Sequence, residues 1–92
     1  MILEEELIKH KWKYIQEYDI WSKLGVSFRN VDRALGNFDI RYADRLSCNV
    51  SPSSIEDLEI DVKYVAEIIF SNKQFWTMFT TKQKRTLKNW IL

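Results

Sequence analysis

Arg29, Asn30 and Arg33 are the residues of this 92-residue chain whose types and spacing most directly suggest chemistry with a partner. Arginine forks match phosphates and guanine edges, and an asparagine amide pairs with adenine, so together they make a reading head for nucleic acid. Catalysis has far less to draw on. One histidine, His10, and one cysteine, Cys48, leave few ways to assemble a nucleophile with its base, or a set of metal ligands. Asp39 with Asp44, and Glu56 with Glu59, are the carboxylate pairs the spacing offers, and acids so placed are more often solvated than catalytic. The chain has two glycines and no glycine-rich phosphate loop. It therefore reads as a non-enzyme with no cofactor and no metal.

A recognition helix needs a turn that sets its angle. In Leu24-Gly25-Val26-Ser27, Gly25 supplies the positive φ at which a helix stops, Ser27 can cap the next helix, and Val26, Val31 and Leu35 point inward. Residues 17 to 36 thus resemble a helix-turn-helix unit. Trp21 departs from that pattern, because such units carry a small residue four positions before the turn glycine, where the two helices cross. The resemblance implies a recognition helix over residues 27 to 35 that presents Ser27, Arg29, Asn30 and Arg33 to double-stranded DNA. Lys82, Lys84, Arg85 and Lys88 would touch phosphates, and a homodimer would supply enough base contacts.

The second set of functional residues is aromatic. Four tryptophans, four tyrosines and five phenylalanines exceed what a small core requires. Phe75, Trp76, Met78 and Phe79 stand too close together for one helix face to bury them all, so part of the cluster is expected to anchor a protein partner. Phe75, Trp76 and Phe79, with Lys84, Arg85 and Lys88 on the following basic helix, form the expected protein-binding surface. A small interaction protein that adapts or inhibits another macromolecule, such as a phage- or mobile-element-encoded inhibitor of a host protein, fits this composition. That reading ranks above a DNA-binding regulator, because the formal net charge is only +1 and Trp21 disturbs the corner.

The elements that must hold these residues read as helices. Ninety-two residues with 46% apolar content make one domain. The breaker-rich loop around Pro52 divides it into halves at residues 1–47 and 53–92. Residues 2 to 16 show helical spacing. Phe38, Tyr42 and Leu46 lie four apart, which favours a helix over residues 38 to 47, although Phe38, Ile40 and Tyr42 also alternate as in a strand. Ser53-Ser54-Ile55-Glu56 reads as a capping box before a core helix with Leu58, Val62, Val65 and Ile69, joined by Ile55 and Ile68. Thr80 and Gln83 repeat the box before a final helix. The expected fold is all-α, a compact bundle of about five short helices.

Charge is distributed unevenly along the chain. Glu56, Asp57, Glu59, Asp61 and Glu67 face a single lysine, Lys63, between residues 51 and 72, whereas residues 73 to 92 hold five bases and no acid. The simplest expectation is an acidic and a basic helix packed with complementary rims. A lone cysteine, an acidic amino terminus and the lack of a long apolar stretch suit a cytoplasmic protein with no signal peptide and no contact with a membrane.

Overall fold

In the computed structural model, which describes residues 1–92, Leu24 and Gly25 form the centre of a tight turn, with φ of 48° and 83°. Two successive positive φ angles give a two-residue hairpin a twist that matches its strands. The turn joins β2 (Ile20–Lys23) to β3 (Val26–Arg29), and Lys23 stands opposite Val26. A Cβ on Gly25 would be strained by the positive φ and would lie 3.2 Å from Leu87 Cδ2, a tight contact that the leucine side chain would have to shift to relieve. The corner expected over residues 17 to 36 is therefore a hairpin followed by the six-residue α2 (Asn30–Leu35), not two crossing helices. Arg29, the residue before α2, provides no side-chain cap, and Gly36 ends the helix at φ 77°.

The all-α expectation is overturned. β1 (Lys13–Ile15), β4 (Phe38–Tyr42) and β5 (Leu46–Val50) complete a five-stranded antiparallel sheet in the order β1-β2-β3-β4-β5. Residues 38 to 42 form a strand because Phe38, Ile40 and Tyr42 are buried while Asp39 and Arg41 face the other way. The four-residue spacing that favours a helix also suits a strand, since a period of two returns to the same face every fourth residue. Residues 2 to 16 contain only the short α1 (Glu4–Lys9) before the backbone turns at Lys11, φ 72°, into β1.

The carboxyl-terminal half is helical. α3 (Ile55–Ser71) starts at Ser54, whose hydroxyl accepts from the Asp57 amide at 3.1 Å, and it buries Ile55, Leu58, Val62, Ala66 and Ile69. These share one core with Trp21, Phe28, Phe38, Ile40 and Tyr42 from a single face of the sheet. Burial on this scale stabilises by about 1.5–3 kcal/mol for each large side chain. The Tyr42 hydroxyl donates to the Val62 carbonyl at 2.8 Å and ties sheet to helix. Burial pushes that phenol well above the usual tyrosine range. α4 (Lys73–Trp76) is capped by Asn72. α5 (Thr81–Leu87) starts at a capping box formed by Thr80 and Gln83, and a 3-10 turn, Lys88–Trp90, follows it. The complementary rims are not formed, since the ion pairs join Glu59 to Lys23 and His10, and Asp39 to Arg41, and none links α3 to α5. No helix is long and apolar enough to cross a membrane.

Candidate functional site

The residues expected to bind a protein are brought near one another, but largely as parts of the fold. Phe79 is buried at 4% exposure and belongs to the core. Phe75 is half-buried, and Trp76 packs edge-on against Phe70 with ring centroids 4.3 Å apart. Lys84 and Lys88 then place their ammonium groups 5.1 and 5.7 Å from the Trp76 ring, so these cations already have an aromatic partner within the chain. Arg85 and Lys88 remain exposed at the end of α5 and in the turn after it.

The residues expected to read DNA are dispersed. Ser27 and Arg29 lie on β3 and point to the sheet face that α3 leaves uncovered. Asn30 accepts from the Trp21 indole at 2.9 Å and so braces the sheet, while Arg33 is half-buried on α2 with an unpartnered Nε. Lys82 is exposed on α5. Trp21 itself is buried at 2% exposure, in a strand. The recognition-helix arrangement has no counterpart here, because its first helix is β2.

α3 carries a second apolar stripe. Ile60, Tyr64 and Ile68 recur every fourth residue, which places them on one outward line about 12 Å long. They are 64%, 64% and 43% exposed, on the best-formed helix of the molecule. Glu56, Asp57 and Glu67 are exposed around them and Asp61 is half-buried, against one exposed lysine, Lys63. A shallow depression beside Tyr64 and Ile68 is completed by Glu67, Ser71 and Asn72. The stripe is visible in the sequence as a second run of apolar residues at helical spacing, and Ile68, expected with the inner run, stands on the outer one.

Two other places hold convergent polar groups. On the uncovered sheet face, Tyr18, Ile20, Ser27, Arg29, Asp39, Arg41 and Asp44 border a groove of about 430 Å³. Its two arginines are balanced by two aspartates, one of which, Asp39, lies 3.9 Å from Arg41. On the helix side, Glu59 pairs with the Lys23 ammonium and lies 3.5 Å from His10 Nδ1, and the Lys23 ammonium sits 5.1 Å from the Trp90 ring. This cluster links the residue that caps the end of α1 to β2 and α3. No group of three or more histidine, cysteine or acidic side chains is placed to hold a metal ion.

No protein-family model matches the chain, and no curated protein and no solved structure shows significant similarity to it.

Proposed function

We propose that this protein is a non-enzymatic interaction module that binds another macromolecule through the outward face of α3 and thereby adapts or inhibits it. The observation that carries this reading is the stripe Ile60, Tyr64 and Ile68, two of whose members are 64% exposed while the opposite side of the same helix is fully packed. Large apolar side chains aligned on a rigid helix supply an interface core, and an exposed tyrosine is a common anchor of binding energy. The rim selects the partner. Glu56, Asp57, Asp61 and Glu67 border the stripe, so the complementary surface is apolar with basic flanks, such as one face of a lysine-rich amphipathic helix.

The test compares binding of a synthetic leucine- and lysine-rich amphipathic helix to the wild-type chain, to an Ile60→Ser/Tyr64→Ser variant and to a Lys84→Ser/Lys88→Ser variant. The α3 variant should bind about tenfold more weakly or worse, equivalent to a loss of ~1.4 kcal/mol or more, with the other variant unchanged. Equal affinity across all three would sink the assignment.

A second reading, contact with nucleic-acid phosphates, draws on Arg29 and Arg41 beside the groove on the open sheet face. It ranks lower because Asp39 and Asp44 cancel those charges within the same groove and the chain as a whole carries only +1.

A further inference from the structure

The two outer strands of the sheet are built differently. β1 is three residues long and opens on an exposed lysine, Lys13, two of the usual devices that discourage a sheet edge from pairing with another chain. β5 has neither. Leu46-Ser47-Cys48-Asn49-Val50 contains no charge, no proline and no bulge, and it pairs residue for residue with β4 from Tyr42↔Leu46 to Phe38↔Val50. No backbone group of these five residues makes a hydrogen bond outside that ladder. About 17 Å of strand edge is therefore left with its outward amides and carbonyls unpaired.

Beside this edge is an apolar cavity of about 180 Å³, walled by Leu46 and Cys48 from β5, Val65 and Ile68 from α3, and Phe75 from α4. It lies on the helix-covered side, to which Leu46, Cys48 and Val50 point, so a strand added to β5 would carry alternate side chains against it.

We propose that this edge pairs with a second copy of the chain, β5 against β5 in antiparallel sense, giving a two-fold dimer with one continuous ten-stranded sheet. The strand is suited to itself. An isologous interface requires each residue to meet the symmetry mate of its partner, and Cys48 is the midpoint of β5. With the two-fold axis there, Leu46 faces Val50 of the other copy, Ser47 faces Asn49, and Cys48 faces its own counterpart. Apolar residues meet apolar residues on the helix side, and small polar residues meet on the open side. No charge opposes a like charge along the strand, the circumstance that most often forbids self-pairing. A heterologous peptide would find the same amides and carbonyls, but nothing in β5 selects a charged or otherwise distinct sequence.

The register makes Cys48 a reporter. Directly opposite residues in an antiparallel pair have Cβ atoms roughly 4.5–5.5 Å apart, close to disulfide range. Light scattering of the purified chain over a range of concentrations should give twice the monomer mass of 11.1 kDa. Mild oxidation should convert it to a covalent dimer through Cys48, its one cysteine. Ser47→Lys with Asn49→Lys places lysines opposite lysines across the axis. Both positions are exposed, so circular dichroism should show the wild-type fold while the mass falls to the monomer, cross-linking is lost, and the melting temperature drops to a value that no longer rises with protein concentration. A wild-type chain that stays monomeric at every concentration overturns the proposal. So does a dimer whose mass survives the double substitution.

Discussion

The two sides of α3 carry the same kinds of residue at the same spacing and meet opposite fates. Leu58, Val62, Ala66 and Ile69 are buried against the sheet, whereas Ile60, Tyr64 and Ile68 look outward with an acidic border. The difference teaches that apolar periodicity defines a helix face without saying what covers it. Five strands supply one cover, and nothing in the chain supplies the other. The inner side accounts for stability and the outer side is free to serve binding, a division that substitutions can break.

The largest effect is expected on the inner side. Leu58→Ala removes a fully buried side chain and should cost about 2–5 kcal/mol, measured by urea unfolding. A cost as small as that of a surface change would mean that the sheet and α3 are not packed as described. A smaller effect is expected where the two layers are tied. Tyr42→Phe removes the hydroxyl that donates to Val62 and should cost about 1 kcal/mol. It should also alter the alkaline limb of stability. Burial raises the Tyr42 phenol above its ordinary value, so the unfolded chain loses that proton first. Folding stability therefore falls as pH rises past about 10, and the phenylalanine variant should fall less steeply. The smallest effect belongs to the outer side. Ile60→Ser and Tyr64→Ser should change unfolding free energy by no more than about 0.5 kcal/mol, and a loss comparable to that of Leu58→Ala would make the stripe structural.

How much of this was legible in the sequence depends on which signals are unique. The Thr80 and Gln83 box is readable because a hydroxyl followed three residues later by a carboxamide has few other uses, whereas the box expected in Ser53-Ser54-Ile55-Glu56 marks the start of α3 but gives way to a single cap, Ser54 accepting from the Asp57 amide, with no part for Glu56. Gly25 is not such a signal. Positive φ ends a helix and also turns a hairpin, and Leu24, with φ 48°, adopts that region without being a glycine. Phe38 and Tyr42 mislead for the related reason that a spacing of four suits both periods. Trp21 gave the better clue. A large residue where two helices would have to cross is awkward, and in β2 it is an ordinary inward-facing core residue opposite Phe28. At the candidate site, Ile60 and Tyr64 are spaced for a helix face, but only the position of the sheet distinguishes the covered stripe from the open one. Phe79 shows the converse, since an aromatic crowd suggests exposure where the short turn after α4 folds it into the core.

The most direct measurement is an amide chemical-shift map of the isotopically labelled chain titrated with the leucine- and lysine-rich amphipathic helix. Perturbations should cluster at Ile60, Tyr64, Glu67 and Ile68 and vanish in the Ile60→Ser/Tyr64→Ser variant while its dispersed, folded spectrum persists. Perturbations centred on Trp76 and Lys84 or on Arg29 and Arg41, or none at saturating peptide, would contradict binding through the outward face of α3.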